Sequence, residues 1–183
     1  MKFLNVLPRE GALMSKNYHF FAMLSRMKYI NRWALMRNTY MENISEHSLE
    51  VATVAHSLAV IHNKRFGGNV NAERVAVLGV FHDAPEIITG DMPTPVKYYS
   101  KQIREAYNCV EDDACKALLE MIPEDIREEY KPFFIEESKA GNHDFDKAAK
   151  TNLKGLEALD MPEVKCFMED FLPSYSLTLD EMN

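Results

Sequence analysis

The stretch Val80-Phe81-His82-Asp83-Ala84-Pro85-Glu86 sets a histidine and an aspartate side by side at the end of an apolar run. A neutral imidazole nitrogen and a carboxylate oxygen together suit a borderline divalent metal ion. Alone, such a pair is weak evidence. It gains meaning from His47, in Ser45-Glu46-His47-Ser48-Leu49, because a separation of 35 residues lets two antiparallel helices bring both imidazoles to one point. That layout describes a metal site inside a helical bundle. A buried Asp83 carboxylate also needs a compensating positive charge or several donors, and a metal shared with His47 and His82 supplies one. For His47 taken alone, the competing reading is a hydrogen-bonded core histidine. His19, His56, His62 and His143 are assigned structural or surface positions. With no histidine between His82 and His143, one ion fits better than a two-metal cluster.

Working outward, Asn43-Ile44-Ser45-Glu46 has the form of a capping box and starts a helix whose stripe His47, Val51, Val54, Leu58 and Ile61 faces the core. Phe66-Gly67-Gly68-Asn69 reads as a turn. Asn71 then caps a helix expected to run to about Ile88, with Val75, Leu78, His82 and Glu86 on one face. The run from Thr89 to Lys97 contains Gly90, Pro93 and Pro95, which prohibit a continuing helix, so it forms a loop able to lie over the site. An earlier helix is expected from Asn17 to Ile30, capped by Ser15 or Asn17, with Phe20, Leu24 and Met27 buried. A later one spans Lys101 to Met121, with Ile103, Tyr107, Val110, Ala114 and Leu118 as its buried series. Pro123 opens a short acidic segment to Tyr130, and Asp144 to Leu159 has a helical pattern with Lys147, Lys150 and Lys154 as a solvated face. With no repeat, no low-complexity tract and no convincing strand, the chain reads as all-α.

At 183 residues the chain fits one domain, expected over 17–183, with 1–16 as a leader or extra surface segment. Hydrophobic residues at 46% and charged residues at 27% are ordinary for a globular protein, and no apolar run approaches a membrane span. A net charge of −7 argues against a nucleic-acid polymer as partner, because polymer binding needs a clustered basic face. A small anion remains compatible, since a metal and a few local cations reverse the field inside one pocket. Arg32, Arg37 and Lys97 are the candidate oxyanion-binding cations, each of which could equally be a solvated charge. Trp33 is either core or a wall against a planar or sugar group. Three cysteines without a CxxC pair read as reduced thiols of a cytoplasmic protein. There is no GxSxG elbow and no glycine-rich phosphate loop.

His47 followed by His82-Asp83 within helices of an all-α domain resembles the HD-domain phosphohydrolases. Ile30-Asn31-Arg32-Trp33, Glu42-Asn43-Ile44-Ser45-Glu46-His47-Ser48-Leu49, the stretch from Phe66 to Arg74, and His82-Asp83-Ala84-Pro85-Glu86 through Thr89-Gly90-Asp91-Met92-Pro93-Thr94-Pro95-Val96-Lys97-Tyr98 resemble the bacterial YfbR-type 5′-deoxynucleotidases. The resemblance implies an HD-domain helical bundle with a metal site between helices. It implies His47, His82 and Asp83 as metal ligands, Arg32, Trp33 and Asp91 as substrate-binding residues, and Glu86 as the catalytic residue that orients or deprotonates water. It also implies a cytoplasmic homodimeric hydrolase that removes the 5′-phosphate from deoxyribonucleoside monophosphates with one divalent ion. Cobalt or manganese is the expected ion, with zinc and nickel as alternatives.

One departure stands out. The family carries a further aspartate ligand on a helix before its Glu-Glu-Ser-Lys-Ala-Gly-Asn stretch, whereas here Phe133-Phe134-Ile135 runs straight into Glu136-Glu137-Ser138. Asp144 and Asp146 are weak substitutes. Two other readings therefore accompany the nucleotidase: an HD phosphohydrolase of nucleoside triphosphates or cyclic nucleotides, and a nucleotide-binding module with impaired catalysis.

Overall fold

The helix that carries His47 begins with Asn43, whose side chain accepts from the backbone N–H groups of Ser45 and Glu46, both at 3.0 Å. Glu46 reaches back to the Asn43 N–H at 3.3 Å, completing the expected capping box. The computed structural model describes residues 18–32, 40–135 and 158–182. In chain order its α-helices are α1 (Phe20–Leu24), α2 (Ile44–Arg65), α3 (Ala72–Phe81), α4 (Glu86–Thr89), α5 (Thr94–Lys97), α6 (Lys101–Glu120), α7 (Glu124–Tyr130), α8 (Pro162–Asp170) and α9 (Leu179–Met182). The all-α reading holds, and strand-like pairing among the described residues is one bridge between Asn31 and Asn43. None of these helices is long and apolar enough to cross a membrane.

The whole predicted stripe of α2 is buried: His47, Val51, Val54, Leu58 and Ile61. Its C-terminal half packs with Val75 and Leu78 of α3 and Val164 and Phe167 of α8 in one cluster. His62 is hydrogen-bonded to the buried Glu163, and Arg65 is ion-paired with Asp170 at 2.6 Å, tying α8 to the end of α2 remote from His47. A second cluster gathers Phe20, Ala84, Leu118, Leu119 and Ile122, with Phe81, Tyr130 and Phe134 packed against it. The ring centroids of Phe20 lie 5.4 Å from Tyr130 and 5.8 Å from Phe134.

Three boundaries differ from the sequence expectation. The third helix stops at Phe81 instead of about Ile88. Pro85 has no N–H to donate and its ring collides with a preceding helical carbonyl, so residues 82–85 tighten into turns before α4 starts. The first helix is shorter than Asn17–Ile30: a single turn, α1, is followed by a 3-10 turn at Met27–Tyr29, and the N-cap is His19. The proposed caps Ser15 and Asn17, and the segment 1–16, lie outside the described residues. In α6 the boundary is right but two of the buried series are not: Ile103 is 37% and Val110 51% exposed, while Tyr107, Ala114 and Leu118 are buried. The expected loop from Thr89 to Lys97 includes one helical turn, α5, with Pro95 in its first turn, where a missing N–H does no harm.

Gly79 sets the distance between α2 and α3. A Cβ there would lie 2.6 Å from the Ala52 Cα and 2.9 Å from its N, both backbone atoms. Alanine normally gains about 1 kcal/mol over glycine inside a helix, but here it must push two backbones apart, which typically costs about 1–3 kcal/mol. Gly79→Ala is therefore expected to lower the melting temperature and to separate His47 from His82. A variant with wild-type melting temperature and metal retention would show that the close approach is not needed.

Candidate metal centre

His47 enters from the first turn of α2 and His82-Asp83 from the turn that ends α3, so the capping box and the break before Pro85 together aim the three side chains at one point. His82 Nε2 lies 3.3 Å from His47 Nε2 and 3.2 Å from Asp83 Oδ2, and His47 Nε2 lies 3.5 Å from the same oxygen. The centre of such a triangle is about 1.9 Å from each corner, close to the usual ligand distance of about 2.1 Å, so the three donors could hold one divalent ion. His82 Nδ1 is 2.7 Å from the Gly79 carbonyl oxygen, which can only accept. Nδ1 therefore carries a hydrogen, which leaves Nε2 as the ring nitrogen able to serve as a metal ligand. The donor set, two imidazoles and one carboxylate, suits a borderline divalent ion. A second group, Glu42, His47 and Glu50, shares His47, but its Glu42 is already paired with Arg32 at 2.8 Å.

Glu86 opens α4 beside this cluster, and its Oε2 is buried with no hydrogen-bond partner. Burial, then the negative charges of Asp83 and Asp91, push its carboxyl from 4.5 up to about 9, with Lys97 and Arg32 opposing. An unpartnered buried oxygen beside the donor triad, in a carboxyl disfavoured as an anion by burial and neighbouring carboxylates, fits a site that would hold a cation. Burial also lowers His47 from 6.5 to about 4, assisted by Arg32 and His82 against the pull of Asp83, so its imidazole is neutral at pH 7.

Arg32 reaches the cluster through backbone pairing: its N–H donates to the Glu42 carbonyl at 2.9 Å, and Ile44 N–H to the Ile30 carbonyl at 2.9 Å. Its guanidinium is 2.9 Å from His47 Nδ1. Lys97 is instead engaged by Glu111 at 2.8 Å and lies over the Tyr107 ring. Trp33, Arg37, Asp144 and Asp146 lie outside the described residues. Asp91 follows Gly90, whose φ of 74° makes the sharp turn out of α4. Two functional neighbours escape a reading of the sequence. Tyr107 looks like one more core aromatic, yet its hydroxyl is 3.1 Å from the Gly90 carbonyl and 3.2 Å from Thr89 Oγ1, fastening the Asp91 turn to α6. Glu42 looks like a surface charge preceding a cap, and only the bridge between Asn31 and Asn43 reveals that it faces Arg32.

A family model described as "5′-deoxynucleotidase YfbR-like" matches residues 19–138 and 134–175. The two pieces meet where Phe134-Ile135 runs into Glu136. The chain is 47% identical over 194 aligned positions to the 5′-deoxynucleotidase YfbR of Shigella boydii serotype 18, covering 92% of this chain and 97% of that protein. The corresponding protein of Escherichia coli K12 / DH10B gives the same identity and coverage. The alignment is longer than this 183-residue chain, so the relatives carry residues with no counterpart here. Among solved structures, an HD-domain phosphohydrolase from Listeria innocua superposes with a TM-score of 0.66 at 24% identity, over 85% of this chain and 87% of that one. A cyanophage S-2L HD phosphohydrolase bound to dA and one catalytic Zn²⁺ ion gives 0.51 at 22% identity, over 86% and 96%.

Proposed function

Since the chain belongs to the YfbR-like 5′-deoxynucleotidase family, we propose that it is a metal-dependent phosphomonoesterase that hydrolyses deoxyribonucleoside 5′-monophosphates to deoxyribonucleosides and phosphate. The observation that carries this reading is the meeting of His47 Nε2, His82 Nε2 and Asp83 Oδ2 within 3.2–3.5 Å, next to the partnerless Oε2 of Glu86. His47, His82 and Asp83 hold the ion. A divalent ion held there would polarise a phosphoryl oxygen and acidify water. Glu86, which would be ionised once a cation offsets the charge of Asp83, takes a proton at Oε2 from the attacking water as the P–O5′ bond breaks and returns it to the departing 5′-oxygen. Arg32 holds the phosphate, and Asp91 accepts a hydrogen bond from the sugar 3′-hydroxyl. Trp33 is assigned the role of rejecting the 2′-hydroxyl. Cobalt or manganese is the expected ion, zinc and nickel being alternatives; the cyanophage neighbour holds zinc.

The same reading makes 17–183 one HD domain and the protein a cytoplasmic homodimer without a nucleic-acid polymer partner. The net charge of −7 supports the last point, and the exposed Ile103 and Val110 on α6 support the dimer. The two-piece family match keeps a competing possibility in view, a nucleotide-binding module with impaired catalysis.

Phosphate release from dAMP, AMP, dATP and cyclic AMP by chelator-treated protein, with and without added Co²⁺ or Mn²⁺, tests the proposal. Metal-dependent release from dAMP is expected. Full activity in excess chelator would remove the metal, and no release from any monophosphate would favour the binding module. An apolar wall that rejects one added hydroxyl discriminates by about 1–3 kcal/mol, so dAMP should exceed AMP in kcat/KM by roughly tenfold to a few hundredfold. Trp33→Ala is expected to narrow that ratio; an unchanged ratio returns Trp33 to the core.

A further inference from the structure

Glu42 stands just outside the donor triad and touches its edge. Its Oε2 accepts from Arg32 Nη1 at 2.8 Å, and its Oε1 lies 3.7 Å from His47 Nδ1. The same Arg32 Nη1 is 2.9 Å from His47 Nδ1. A guanidinium has no acceptor, so in this arrangement Nδ1 of the neutral ring accepts and the ring hydrogen sits on Nε2. That hydrogen points to His82 Nε2 at 3.3 Å and Asp83 Oδ2 at 3.5 Å. The same tautomer cannot ligate a metal through Nε2. A ring that ligates there carries its hydrogen on Nδ1 and needs an acceptor facing it. Arg32 cannot be that acceptor, whereas Glu42 Oε1 is within a small rotation of it.

We propose that Glu42 is a positioning residue that holds His47 in its ligating tautomer, and that ion loading exchanges Arg32 for Glu42 at His47 Nδ1, turning the guanidinium towards the phosphate. The proposal rests on His47 being a ligand. The exchange balances: one proton leaves Nε2 and one is bound at Nδ1, and the ring is neutral before and after. The backbone already supports both partners. Arg32 N–H donates to the Glu42 carbonyl at 2.9 Å, so the two side chains leave adjacent points and can swap roles without moving a helix. The consequence is an ordered site, in which the phosphate-binding cation becomes available once the ion is in place.

Titrating Zn²⁺ into metal-free wild type and variants by calorimetry tests this, with long-range ¹H–¹⁵N spectra of the imidazoles as a second readout. Glu42→Leu removes the acceptor and is expected to weaken Zn²⁺ binding by about 10–100-fold, the usual effect of losing an outer-shell partner. Glu42→Gln keeps an acceptor oxygen and should regain most of that loss, which separates tautomer control from a folding defect. Arg32→Ala should bind Zn²⁺ at least as tightly as wild type while losing affinity for phosphate. The His47 ring should carry its hydrogen on Nε2 without metal and on Nδ1 with Zn²⁺. Wild-type Zn²⁺ affinity in Glu42→Leu, or a hydrogen that stays on Nε2 in the loaded protein, overturns the proposal and leaves the metal centre standing. Failure of the wild type itself to bind Zn²⁺ would remove the metal centre and this proposal with it.

Discussion

His82→Ala is expected to release the bound ion and to cut phosphate release from dAMP by more than about 100-fold, the upper end of what loss of an outer-shell partner alone costs. His82 closes two edges of the donor triangle, at 3.3 Å to His47 and 3.2 Å to Asp83, so its removal leaves one nitrogen and one oxygen. His47→Ala and Asp83→Ala should behave alike, because a shell with three donors among the described residues has none of them to spare. Metal content after gel filtration and phosphate release measured on the same samples check this. The exposed His56 on α2 supplies the control, since His56→Ala should change neither quantity. Wild-type metal content in His82→Ala would contradict the assignment of the triad.

Glu86→Gln is expected to keep the ion and lose turnover, by about 10²–10⁴-fold, the range attributed to a positioned acid or base. Glutamine preserves the shape of the side chain and removes its basicity. The metal-free fold offers an independent check. The folded carboxyl keeps its proton to about pH 9, whereas the unfolded chain releases it near 4.5. Between those values unfolding releases a proton, and above about pH 6.5 the opposing uptake at His47 has ended, so the metal-free wild type should lose stability as pH rises from about 6.5 to 9. Glu86→Gln has no proton to lose there and should show a flatter profile. Differential scanning calorimetry of both metal-free proteins across that range measures the difference. Parallel profiles would place the source of the pH dependence elsewhere, and loss of the ion from Glu86→Gln would make Glu86 a ligand rather than a base.

The contrast between these two substitutions depends on a break in the chain that periodicity did not reveal. A continuous helix to Ile88 would set Glu86 one regular turn beyond His82, on the same face. Pro85 instead ends the helix at Phe81, and the turn it forces frees the Gly79 carbonyl to take the His82 Nδ1 hydrogen. The same proline signal was present in the sequence, but whether a chain kinks or terminates at proline depends on what packs around it. Here Ala84 is part of the second core cluster and Pro85 next to it is buried.

The sequence by itself determined what local chemistry can encode: the capping box at Asn43, the buried stripe of α2, the boundaries of α6, the His47 and His82-Asp83 pattern, and through longer motifs the family. These are matters of spacing along one helix or of residue type, and they need no knowledge of distant neighbours. Only the tertiary structure decided which apolar faces are covered, leaving Ile103 and Val110 of α6 exposed although their spacing matches that of the buried Tyr107 and Ala114. It also decided which charges meet. Arg32 faces Glu42 and His47 because a bridge between Asn31 and Asn43 folds two segments together, and Lys97 is engaged by Glu111 across 14 residues. A charge written in sequence has many potential partners, and its energy depends on a distance of a few ångströms that only the packed chain sets.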